Sequence, residues 1–289
     1  MSMTEFRPVL DAGTTLGESP VWSDRSQALF FVDISGRKLH RYDPVMGGHD
    51  VVLIDEDIGC VAPASDGAFV AGLRSGIWRL DSAGRKLQKL ASNPENTQTS
   101  RFNDGRVDPR GRFLAGTIDE PKASAAACLY RLDGTTLSVL AKGLMTSNGL
   151  AFSPDGRTLY HSDTPRFVIY RYDYDVTTGE VENRRVFAEL EPTVMDRGRP
   201  DGAAVDVDGC YWTALYEGAR VRRYDPCGRI MADYPVPARY PTMVAFGGAD
   251  RRTLFLTTAN GEGGGVLYAA DLGVRGLVPP EFASEDVPR

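Results

Sequence analysis

The chain has 289 residues, 33 Lys+Arg against 39 Asp+Glu, 42% apolar residues and a formal charge of −6. That balance excludes an intrinsically disordered chain. With no Lys/Arg-rich stripe, it also argues against nucleic acid and anionic membranes as main partners.

In chain order, the first element is Phe6-Arg7-Pro8-Val9-Leu10-Asp11, a short strand whose proline suits an outer edge. The residues up to Arg7 lack the basic start and apolar run of a secretory signal. No window approaches the roughly 18 apolar residues of a membrane helix. A repeat then begins: a small-residue turn, a short apolar strand, a loop, and an apolar-x-Arg-apolar-Asp strand. Its last part reads Leu39–Asp43, Ile77–Asp81, Leu129–Asp133, Ile169–Asp173 and Val221–Asp225, and more loosely Leu267–Asp271. The strands ahead of these are Leu29–Ile34, Ala68–Leu73, Arg112–Ile118, Thr158–Asp163, Cys210–Leu215 and Thr253–Thr258. Turn tripeptides such as Ser65-Asp66-Gly67 and Pro154-Asp155-Gly156 introduce several of them.

Copies recur about every 40–50 residues, the period of a four-stranded propeller blade, and long helical periodicity is missing. The pattern predicts an all-β fold, a six-bladed β-propeller forming a single domain over residues 1–289. Each blade parses into strands A to D, and the sixth lacks a fourth strand, because Gly273–Pro280 carries two prolines. The N-terminal strand Phe6–Asp11 is therefore expected to pair with Val266–Asp271 and close the ring, since closure removes exposed edges. The repeated arginines and aspartates are expected to form ion pairs between blades.

Aligning the innermost strands places Glu18, Cys60, Asn103, Asn148, Asp201 and Thr242 at equivalent starts, around one mouth of the central channel. Two carboxylates and two amides in such a ring suit a hard divalent cation: the carboxylates supply charge, and the amide carbonyls add dipoles without further repulsion. Other signals fall short. Asp206-Val207-Asp208-Gly209 imitates a calcium loop but has Tyr211 where glycine is required. Gly261–Gly265 runs into Val266 and fails the dinucleotide pattern, leaving a connection between strands. The three histidines lack H-x-x-x-H spacing, which disfavours a histidine-built zinc site. The four cysteines form no C-x-x-C pair and read as reduced, buried thiols of a cytoplasmic protein.

The motifs Gly17-Glu18-Ser19-Pro20-Val21-Trp22, Arg101-Phe102-Asn103-Asp104-Gly105-Arg106-Val107-Asp108, Ser147-Asn148-Gly149-Leu150 and Pro200-Asp201-Gly202 resemble one family. It is that of senescence marker protein, gluconolactonase and luciferin-regenerating enzyme. The resemblance spans nearly the whole chain. It implies a six-bladed propeller that hydrolyses sugar lactones with one divalent metal ion (Ca²⁺, Zn²⁺, Mn²⁺, Mg²⁺ or Fe²⁺). It also implies Glu18, Asn148 and Asp201 as direct ligands, and Arg101, Asn103 and Glu120 as substrate-binding residues. Glu120 is the weakest match, since the chain reads Ile118-Asp119-Glu120-Pro121 there, and Lys122–Ala127 resembles a variable lid. Asp201 is the expected general base because the two asparagines cannot titrate, with Glu18 the alternative. The expected partner is a small sugar lactone, and the expected state a monomer or weak homo-oligomer. The competing readings are another ester or phosphotriester hydrolase using the same ring, and a non-catalytic calcium-binding propeller.

Overall fold

Each repeat folds as an antiparallel meander because its turns are built by short polar side chains. In the Ser65-Asp66-Gly67 turn, Asp66 Oδ1 accepts the Ala68 N–H at 3.0 Å and Gly67 takes φ 88°. In the computed structural model, residues 5–194 and 196–283 are described, and they form six four-stranded sheets arranged as a β-propeller. The inner strands are Gly17–Ser23, Ile58–Pro63, Ser100–Val107, Ser147–Phe152, Arg199–Val205 and Pro241–Gly247, buried almost throughout. Outer strands such as Gly48–Leu53 and Val181–Glu189 face largely outward.

Packing follows the ring. One apolar cluster joins Val21 and Phe30 of the first blade to Val61 and Phe69 of the second. Another joins Tyr160 and Phe187 of the fourth to Tyr211 and Tyr224 of the fifth. Trp22 stacks on Phe255 at 6.1 Å across the seam between the first and last blades.

That seam is closed by the N-terminal strand. Arg7–Asp11 runs antiparallel to Val266–Asp271, with Arg7 opposite Ala269, Asp11 opposite Val266 and a slip between Pro8 and Leu10. The proline thus falls at an irregular edge position, where no ladder donor is required. Phe6 is buried beside Trp212 and Tyr268.

The repeated arginines differ from expectation. Arg131 does cross to the next blade, reaching Glu180 at 2.8 Å. Arg79 and Arg223 instead pair with Asp66 and Asp206 in the first turn of their own blades, and Arg41 with Asp50 of its own outer strand. The own-blade carboxylate lies one or two strands away in the same sheet, a shorter reach than the neighbouring blade. Several of the repeated aspartates cap turns: Asp81 Oδ1 accepts the Ala83 and Arg85 N–H groups, each at 2.9 Å. The cysteines are free, but only Cys60 and Cys210 are buried and Cys227 is exposed, so they are not uniformly core thiols.

After the last strand the chain crosses the far mouth of the channel. Val207 donates to Arg275 O, Gly276 to Arg251 O, and Phe282 to Pro63 O, at 2.8–2.9 Å. Beneath this crossing lies a cavity of ≈ 380 Å³ lined by Trp22, Arg106, Phe152, Phe246 and Leu277. It sits opposite the mouth where the aligned polar ring lies.

Candidate active site

Every inner strand breaks register with its neighbour near its ring position. The slips fall between Glu18 and Val21, Ile58 and Cys60, Phe102 and Gly105, Asn148 and Ala151, Pro200 and Ala203, and Pro241 and Met243. Such bulges re-aim side chains that regular pleating would alternate across the sheet. Ser19 and Gly149 take φ 47° and 62° directly after Glu18 and Asn148. A Cβ at Gly149 would meet Tyr211 Oη at 2.5 Å, so only glycine fits that bend.

The ring side chains form one hydrogen-bonded chain. Arg101 Nη1 donates to Asn103 Oδ1 at 2.7 Å, and Asn103 Nδ2 donates to Asn148 Oδ1 at 2.6 Å. Asn148 Nδ2 donates to Asp201 Oδ1 at 2.6 Å and to Thr164 Oγ1 at 2.9 Å. Glu18 joins by charge, and its Oε2 accepts the Ser19 N–H at 2.9 Å. None of these five residues is more than 8% exposed. The structure thus brings together Glu18, Arg101, Asn103, Asn148 and Asp201.

The electrostatics of the ring are unbalanced. Burial, then the neighbouring charges of Asp201 and Asp104, pushes the Glu18 carboxyl well up. Burial and Asp104 push Asp201 up in turn, opposed by Arg199 and Lys122. Asp104, next to Asn103 in the recognised motif, is thus a third buried acid, legible in the sequence as a residue type but not as a neighbour of the ring. Cys60 is no candidate nucleophile, because burial raises its thiol and keeps it protonated. Ser147 Oγ and His161 Nε2 meet at 2.7 Å, but both are sealed from solvent and burial lowers His161 to about 3. That pair instead backs the ring, since Ser147 O accepts from Asn103 Nδ2 at 3.1 Å.

Glu120 lies at the same mouth, tied into an ion network. Its Oε1 takes Arg74 Nη2 at 2.7 Å and stands 3.6 Å from Arg101 Nε, while Arg74 also grips Asp57 at 2.6 Å. Arg74 and Asp57 carry no motif, since they sit in connections between strands and only the fold brings Arg74 between Asp57 and Glu120. Arg199 covers the Tyr216 ring at 5.0 Å and pairs with Glu217 at 3.1 Å, adding polar wall.

Residues 16–260 match the family described as SMP-30/Gluconolactonase/LRE-like region. The chain belongs to this family. It is 44% identical over 281 residues to the 6-deoxy-6-sulfogluconolactonase of Pseudomonas putida, covering 93% of this chain and 96% of that one. It is 36% identical to a pentonolactonase of Haloferax volcanii, over 96% and 97% of the two chains. The solved regucalcin of Agrobacterium tumefaciens, described as a calcium-binding protein, superposes with a TM-score of 0.91 at 26% identity, covering 98% and 99%.

In this SMP-30/gluconolactonase/LRE-like protein, Glu18, Asn148 and Asp201 are ring residues whose side-chain oxygens could hold a cation. The donor chemistry fits a hard divalent ion: burial first, then neighbouring carboxylates, raise both Glu18 and Asp201 despite the opposing Arg101, Arg199 and Lys122, and an amide completes the set. Glu18 Oε1 accepts no hydrogen bond among the described residues. No cluster of three Asp, Glu, His or Cys side chains suited to a metal occurs among the described residues, so amide and water oxygens would complete the coordination.

Proposed function

We propose that the chain, read as one propeller domain over 1–289, is a metal-dependent hydrolase of sugar lactones. The carrying observation is the buried Arg101–Asn103–Asn148–Asp201 hydrogen-bond chain facing Glu18 at one channel mouth. Family membership, with relatives named as lactonases, supports the same reading. Glu18, Asn148 and Asp201 would hold one divalent ion such as Ca²⁺, Zn²⁺, Mn²⁺, Mg²⁺ or Fe²⁺. When bound, it supplies Lewis-acid polarisation of the lactone carbonyl.

The protein's residues perform the rest. Asp201 accepts a proton from the attacking water as its oxygen bonds to the carbonyl carbon. The ring C–O bond then breaks, and the proton passes from Asp201 to the departing alkoxide, giving the open aldonic acid. Arg101 spends Nη1 on Asn103 and the Phe102 carbonyl, leaving Nη2 free of partners among the described residues to hold sugar hydroxyls. Glu120, anchored by Arg74, presents a carboxylate to the same hydroxyls. A mouth walled by Arg101, Glu120, Arg74 and Arg199 favours a sugar over an apolar ester. Four free thiols support a reducing, cytoplasmic setting.

A pH-indicator assay on a panel of aldonolactones, with and without a chelator, tests this reading. Hydrolysis of at least one lactone, abolished by chelation and restored by a divalent ion, is expected. Activity indifferent to thorough chelation would remove the cation from the mechanism. Arg101→Ala should lower kcat/KM by about 10-fold or more while cation affinity, read by calorimetry, persists, because a guanidinium cannot coordinate a cation. Loss of the cation with unchanged substrate recognition would instead make Arg101 structural.

A further inference from the structure

Just below the ring, Asp104 and Arg106 follow Asn103 on the same inner strand. Arg106 donates from Nε to Leu150 O at 2.9 Å and from Nη2 to Ala203 O at 2.7 Å. Asp104 Oδ2 accepts the Leu150 N–H at 2.8 Å, so this pair takes both backbone groups of one residue. Leu150 lies two residues after Asn148, and Ala203 two after Asp201. Both partner strands are bulged there, so the ladder alone does not set the depth of Asn148 and Asp201 in the channel.

In the other blades hydroxyls brace one neighbouring strand, as Ser19 Oγ does with Val61 and Thr242 Oγ1 with Gly17 O, but none has a side chain that forks to two strands at the Arg106 position. Positions equivalent to Arg106 are Val21, Pro63, Ala151, Ala204 and Ala245. The exception occurs on the strand carrying Asn103, and its fork reaches only the two strands carrying Asn148 and Asp201. We infer that Arg106, acting with Asp104 on the backbone of Leu150, is a positioning residue for lactone hydrolysis, fixing the mutual spacing of Asn103, Asn148 and Asp201. The assignment rests on the function proposed above. It adds a residue that touches neither substrate nor cation and acts through the backbone of two neighbouring blades.

The test compares Arg106→Lys and Arg106→Ala with the parent. Lysine keeps a charge beside Asp104, but one ammonium cannot span two carbonyls as the planar fork does. Its kcat should fall about 10²-fold, the loss a displacement near 1 Å produces, with KM changed only a few fold. Arg106 borders the far-mouth cavity, so methylguanidinium at sub-denaturing concentration should restore part of the Arg106→Ala rate. An independent readout is the side-chain amide NMR signals of Asn103 and Asn148, which should shift and exchange faster in Arg106→Lys. If the parent hydrolyses no lactone, the proposed function fails, and the amide signals still decide the role of Arg106. A folded Arg106→Lys with unchanged kcat, or with unmoved Asn103 and Asn148 amide signals, would overturn the inference. So would a lower melting temperature with kcat per folded molecule intact, which assigns Arg106 to stability alone.

Discussion

Asp201→Asn should keep the propeller and lose lactone hydrolysis by roughly 10²–10⁴-fold at saturating metal, the range for removing a general base. The substitution retains an oxygen where Asn148 Nδ2 now donates at 2.6 Å, so the ring geometry and some cation affinity survive. The proton acceptor goes, together with one of the ring's two charges, which saturating metal offsets. Glu18→Gln separates the two roles: with one charge fewer in the ring, it should weaken cation binding first and recover part of its activity in excess metal. The measurement is initial rate across a metal titration for both variants. If metal-saturated Asp201→Asn works within a few fold of the parent, the base lies elsewhere and the mechanism falls.

The second large effect concerns closure. Removing the first eleven residues strips the edge strand from Val266–Asp271 and pulls Phe6 from its cluster with Trp212 and Tyr268. It also removes Val9 O, which accepts from Tyr42 Oη at 3.3 Å across the seam. Burying one phenylalanine is worth about 2–3 kcal/mol, and the lost ladder bonds add about 1 kcal/mol each. For a chain of this size the melting temperature should fall by roughly 10 °C or more. The bared edge should drive self-association, visible by light scattering. A truncated chain that melts with the parent and stays monomeric would show that the ring is closed by other contacts.

The fold was legible because propeller repeats write the same turn and strand into every blade. Asp66-Gly67 and Pro154-Asp155-Gly156 punctuate strands whatever the distant chain does, and the aligned inner-strand starts follow from that period. Even the long-range closure followed from counting, since six blades need twenty-four strands and only Phe6–Asp11 remained for the last place.

What the tertiary structure alone decided are pairings with no periodic trace. The bulges that turn Glu18, Asn148 and Asp201 toward the axis depend on how two strands slip, not on residue type. Arg74 meets Glu120 from 46 residues away, and Arg106 reaches Ala203 from 97. A side chain four or five bonds long selects such partners by where the backbone has already placed them. The repeated arginines make the same point: one sequence pattern ends on Asp66 in one blade and on Glu180 of a neighbouring blade in another. Local chemistry sets the period and the ring of candidate groups; only the closed ring of blades sets which of those groups touch.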